Sequence, residues 1–176
     1  MRVGALFLLT AVPGLVAGAL ADSSNLEGGV FIAHYPAAMQ FSSDPPPEGW
    51  CQHYLSHHAI DSCGAQVNRI DTYDGVIWFV LAAWSEAKQW CGTEFGLGSF
   101  DPGSFEFTDY GPCYPDEGLE IPTDGWPGPG EGTAFVTTTA DWDGNLIPVY
   151  YFCGYAYAED LLPLSTNPAT VFGGTS

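Results

Sequence analysis

Val76-Ile77-Trp78-Phe79-Val80-Leu81-Ala82-Ala83-Trp84 is the stretch whose reading decides the fold. A strand sends successive side chains to opposite faces, and here both alternating sets are apolar. Val76, Trp78, Val80, Ala82 and Trp84 make one set; Ile77, Phe79, Leu81 and Ala83 make the other. An element apolar on both sides belongs between two layers. A buried helix would meet the same demand, but the β-branched and aromatic enrichment after Gly75 favours a strand. The run therefore predicts a central strand covered on both faces.

Outward from it, residues 28–34 (GGVFIAH) predict a first strand. The Asp44-Pro45-Pro46-Pro47-Glu48-Gly49 connection is too rigid to continue a helix. Residues 50–58 predict a short helix with Trp50, Tyr54 and His58 four apart on one face. One helical turn is expected over 85–89. Between residues 92 and 132, Gly and Pro punctuate the chain so often that loops and short edge strands such as 105–107 are expected. Residues 133–139 and 147–157 read as paired strands around the Asp143-Gly144 hairpin signal. Val149, Tyr151, Cys153, Tyr155 and Tyr157 share a face of a second interior strand. With many turns and no strands alternating with long amphipathic helices, the pattern predicts an all-β protein. The expected architecture is an antiparallel β-sandwich, Ig-like or similar, with one or two short helical turns and disulfide-stapled loops.

Residues 1–21 read as a cleaved secretory signal peptide. Arg2 supplies the positive end, residues 3–16 the apolar run, and Ala19-Leu20-Ala21 the small-x-small cleavage site. The run is shorter and more interrupted than the ~20 apolar residues of a membrane span, and no transmembrane segment is expected in the mature chain. Residues 22–176 then form a single extracytoplasmic domain, in the periplasm, at a cell surface or outside the cell. That destination turns Cys51, Cys63, Cys91, Cys113 and Cys153 into disulfide candidates. The local pairing, Cys51–Cys63 with Cys91–Cys113, would staple the least periodic regions and leave Cys153 as a buried strand thiol. A rival pairing joins Cys153 to Cys91 or Cys113.

The chain carries 21 acidic residues against three Lys and Arg, for a formal net charge of −18. Charged residues reach only 14%, against about 25% in an ordinary domain. The anomaly is a shortage of cations. Arg69 and Lys88 are the only ones beyond the leader, which excludes nucleic acid as a partner and disfavours anionic membranes.

Candidate chemistry concentrates in Cys51-x-His53-x3-His57-His58. On a helix, His53 and His57 share a face and suit Zn or Cu, with His58 adjacent and Cys51 as a thiolate ligand if reduced. The competing reading oxidises Cys51 and leaves the histidines as ordinary surface groups. Calcium is a second candidate, at Asp141, Asp143 and Asn145 or around Asp71 and Asp74. The EF-hand pattern fails, however: counted from Asp141, its glycine position holds Leu146 and its glutamate position Phe152. Trp126, in a Pro/Gly-rich loop, and Trp142, beside the hairpin signal, are candidate stacking platforms for a carbohydrate or protein ligand. The alternative is that they fold back over the sandwich ends. No Gly-x-Ser-x-Gly or His-Glu-x-x-His motif occurs, and Gly128-x-Gly130-x-Gly132 lacks the strand–helix setting of a nucleotide loop.

These observations point to a secreted, noncatalytic binding or surface-associated structural module. A metal-binding protein or metal-dependent enzyme centred on His53, His57 and His58 is the second reading, and a carbohydrate-active enzyme the third. Unpaired carboxylates repel one another across the whole surface. Screening should therefore raise the melting temperature between about 10 mM and about 0.2 M salt, or with millimolar calcium. A melting temperature unmoved across that range, followed by circular dichroism, would remove the repulsion argument.

Overall fold

The computed structural model describes residues 29–69, 75–114, 118–137 and 142–175; the expected signal peptide lies outside them. The decisive run opens strand β2 (Gly75–Trp90), and every residue from Val76 to Trp84 is buried. Strand β1 (Val30–His34) pairs antiparallel with one edge of β2, and strand β7 (Trp142–Ala156) with the other. Strand β4 (Phe105–Pro112) lies beyond β7, which completes a sheet in the order β1-β2-β7-β4. At Cys91 the chain leaves this sheet for a second one. There β3 (Gly92–Leu97) pairs with β6 (Gly132–Thr137), and β6 with β5 (Gly118–Pro122). Two short strands, β8 (Leu164–Ser165) and β9 (Gly174–Thr175), also pair with β3. The protein is a sandwich-like all-β fold of two antiparallel sheets with, among the described residues, one α-helix, α1 (Trp50–His57). No helix among the described residues is long and apolar enough to cross a membrane.

Both faces of β2 find cover, as its pattern requires. Trp78 pairs with Phe152 and Val80 with Tyr150, and cross-strand partners share a face. That face meets the second sheet: Phe95 lies 5.5 Å from Tyr150 and 5.9 Å from Phe31, ring centre to ring centre. The Trp78 and Phe152 rings stack at 4.2 Å. On the opposite face Phe79 stacks on Tyr54 of α1 at 4.4 Å. Trp50, Cys51 and Tyr54 are the residues α1 buries.

Three expectations need correction. Residues 85–89 are not a helical turn; they belong to strand β2, whose pairing with β7 is interrupted after Ala83 and resumes from Lys88 to the fully buried Trp90. Polar residues leave the two-layered core there. Asp143-Gly144 does not form a hairpin joining β6 to β7. It lies within β7, paired with Lys88 and Gln89. Both edges of β7 are taken, by β2 and β4, so β6 pairs in the other sheet.

The third correction concerns the disulfides. Cys51 is bridged to Cys113, not to Cys63, and Cys91 is not the partner of Cys113. Closeness in sequence proved irrelevant because Cys51 sits on the buried side of α1, over the sheet that carries β4. Cys113 follows β4 directly, and the two Cα atoms are 5.3 Å apart. Cys63 lies on an exposed 3-10 turn (Cys63–Ala65) with a free thiol. Cys153 is a buried thiol on β7, as expected of a strand cysteine, and burial pushes its pKa well up.

The bridge spans 62 residues. On the chain-entropy argument, closing that loop stabilises the fold by about 4 kcal/mol. Replacing both Cys51 and Cys113 by Ala should lower unfolding free energy in urea by an amount of that order, while Cys63→Ala should change it by a few tenths at most. A double variant within about 1 kcal/mol of the parent would show that the helix needs no staple.

Candidate functional site

The four-residue spacing of His53 and His57 acts as expected. The buried side of α1 carries Trp50, Cys51 and Tyr54, so His53 and His57 face outward, with ring centres 4.7 Å apart. His58, just past the helix, lies 5.5 Å from His53 and 6.3 Å from His57. Glu48, a residue that helical spacing could not reveal, joins them from the turn before the helix. Its Oε1 is 2.8 Å from His53 Nδ1. One ligand atom each from Glu48, His53 and His57 fall within 4.8 Å of one another. The hydrogen bond with His53 holds the Glu48 carboxyl below the ordinary range. Partial burial, then the neighbouring imidazoles, lower His58. With its sulfur in the bridge, Cys51 is not available to this cluster as a thiolate.

The expected stacking platforms fare differently. Trp126 is buried, not exposed. Its indole N–H donates to the Tyr150 hydroxyl at 2.9 Å, and that hydroxyl donates to Glu120 Oε1 at 2.8 Å. Thr133 donates to the same carboxylate oxygen at 2.8 Å. The indole folds back over the core because the space between the sheets offers both aromatic contact and an acceptor, 5.6 Å from the Phe95 ring. The backbone of Trp142 pairs with Trp90 at the start of β7. Of the residues in the calcium reading, Asp71, Asp74 and Asp141 lie outside the described residues, while Asp143 and Asn145 lie within β7.

A groove of about 850 Å³ is the feature that sequence reading missed. Phe31, Trp78 and Phe107 line it from the face of the first sheet turned away from α1, and Leu162 and Leu164 from the chain leading into β8. Tyr155 lies at its margin, its ring turned to the other face of the sheet, 5.8 Å from Phe41. Gln66, Asn68, Arg69, Glu106, Glu159 and Asp160 supply polar groups. Glu106 accepts the Tyr157 hydroxyl at 2.5 Å, and Tyr157 stacks nearly parallel to Tyr155. Asp160 accepts backbone N–H groups of Asp101 and Leu161, which hold its carboxyl below the usual range. Gly154 lines the groove where β4 bulges towards β7; a Cβ there would collide with the Glu106 carbonyl. The groove is assembled from segments far apart in sequence, so no local pattern announces it. Glu48 did carry a signal, a carboxylate placed just before a histidine-bearing helix.

Comparison of the chain with protein-family models, with curated proteins and with solved structures finds no match.

His34, also on the groove lining, is buried, and the Val67 backbone N–H donates to its Nδ1 at 3.1 Å. Burial lowers its pKa, and accepting that N–H requires the neutral ring. An unfolded histidine titrates near ~6.5, so the unfolded chain takes up a proton first as pH falls. His34 therefore contributes stability above about pH 6.5 that is lost as pH drops through that value toward the folded pKa. Unfolding free energies between about pH 7.5 and 5 should show this slope, and His34→Leu should flatten it. A variant retaining the full slope would assign the effect to other groups.

Proposed function

We propose that this chain is an extracytoplasmic, noncatalytic binding module whose ligand is a neutral or amine-bearing carbohydrate seated in the groove. The groove itself carries the reading. Its volume falls within the ~300–1,000 Å³ of small-molecule sites, and it combines aromatic faces with planar polar side chains. Phe31 and Phe107 provide rings for stacking, while Gln66, Asn68 and the carboxylates can exchange hydrogen bonds with hydroxyls. The net charge of −18 argues against polyanionic glycans. The ionised, backbone-held carboxylate of Asp160 suits a hydrogen-bond acceptor better than a general acid. A disulfide buried beneath a surface helix is compatible with an oxidising compartment.

The test is calorimetry with soluble cello-, xylo-, manno- and chito-oligosaccharides, with a sulfated polysaccharide as the polyanion control. At least one neutral or amino sugar should bind without turnover. Affinity should fall about fivefold or more in Phe107→Ala and in the exposed-site variant Asn68→Ala. Retention of only the polyanion, or of a basic peptide alone, would overturn the ligand class. New reducing ends that disappear in Glu106→Gln would make the protein an enzyme instead.

A further inference from the structure

The cluster on α1 is not part of that groove. The helix covers the face of the first sheet that carries Phe79, whereas Trp78 and Phe107 look the other way. We propose that Glu48, His53 and His57 form a second, independent site that binds one borderline divalent metal ion, Zn2+ or Cu2+.

Four observations lead there. The donor set is two imidazoles and one carboxylate, which suits Zn2+ and Cu2+, whereas Ca2+ and Mg2+ require more oxygen ligands. The donors converge within 4.8 Å; a tetrahedral site with bonds of ~2.0 Å needs them roughly 3.3 Å apart. Glu48 and His57 are exposed and His53 is partly so, so side-chain rotation alone can close that difference. The backbone carrying the histidines is held in place, because the Cys51–Cys113 bridge lies two residues before His53 and Tyr54 is packed into the core beside it. Metal binding therefore need not fix the helix as well. Finally, the shortage of Lys and Arg leaves the surface negative and concentrates cations near it. Three protein ligands leave at least one coordination position open to water, and the His58 ring lies 5.5 Å from His53.

Tag-free protein stripped with chelator and titrated calorimetrically with Zn2+ in the presence of millimolar Ca2+ tests the site. The expected result is one ion per chain, with affinity reduced roughly tenfold or more in His53→Ala and in His57→Ala, and unchanged in Cys63→Ser. Thermal melts in chelator should match the parent, since these rings contribute nothing to the core. If His57→Ala proves unstable, His57→Gln serves. With Cu2+, electron paramagnetic resonance should show coupling to two nitrogens, reduced to one in either variant. Binding that Ca2+ abolishes, or that survives in the His53→Ala/His57→Ala double variant, would identify diffuse carboxylate attraction and overturn the proposal. Oligosaccharide binding, in a groove that Glu48, His53 and His57 do not line, should be the same in the metal-site variants as in the parent, so the two readings fail separately.

Discussion

A strand that is apolar on both faces cannot stand at a surface, and the rest of this molecule follows from meeting that demand for β2. One face is met by the second sheet, through Phe95 and the aromatic group around Tyr150 and Phe152. The other is met by a single eight-residue helix, through Tyr54 on Phe79. A helix this short is marginal on its own. It persists because it is held at one end by a covalent bridge and along its length by buried aromatics. The same docking that completes the core also turns His53 and His57 outward.

The scarcity of Lys and Arg changes how polar groups are accommodated inside. Where another protein would set a cation against a partly buried carboxylate, this one uses neutral donors at Glu120 and Asp109. Glu120 receives the hydroxyls of Tyr150 and Thr133, and the Trp126 indole N–H closes the chain on Tyr150. These hydrogen bonds join β5 and β6 of one sheet to β7 of the other and to the Pro/Gly-rich loop between β5 and β6. Asp109 is served in the same manner by the Trp50 indole and the Tyr151 hydroxyl. Hydrogen bonds to charged acceptors are stronger than neutral ones, so aromatic donors can bind the layers together without ion pairs.

What was legible in the sequence was whatever depended on periodicity. Val76 to Trp84 disclosed a doubly covered strand, and the spacing of Trp50, Tyr54, His53 and His57 disclosed a helix with a buried side and a histidine side. Pairing was not legible, because it is decided by which edges remain open. Asp143-Gly144 has the composition of a turn, yet β2 supplies a long ladder that absorbs it. β3 was hidden for a related reason. Gly92 and Gly96 read as loop residues, but a Cβ on Gly96 would lie 2.5 Å from the Thr166 carbonyl oxygen, so glycine is needed there for close approach within a sheet. Neighbouring cysteines suggested local bridges, whereas the direction each side chain faces selected Cys113 for Cys51. The groove draws on residues from Phe31 to Leu164 and has no linear signature at all.

The two candidate sites share one electrostatic environment but use it differently. Around the groove, the carboxylates of Glu106, Glu159 and Asp160 outnumber Arg69, the one Lys or Arg among the lining residues, so a polyanion would meet repulsion that stacking on Phe107 could not offset. At α1 the same surplus of negative charge draws cations in, yet a carboxylate surface alone holds them loosely and without geometry. Imidazole nitrogens at fixed spacing are what could turn that diffuse attraction into a defined ligand set, and the chain places three of its four histidines there. The fourth, His34, is buried, and burial lowers its pKa. A chain so poor in basic residues thus places its imidazoles in two settings, one inside the fold and one grouped at the only α-helix among the described residues. That division is the strongest physical reason to treat the α1 cluster as a site and not as an accident of composition.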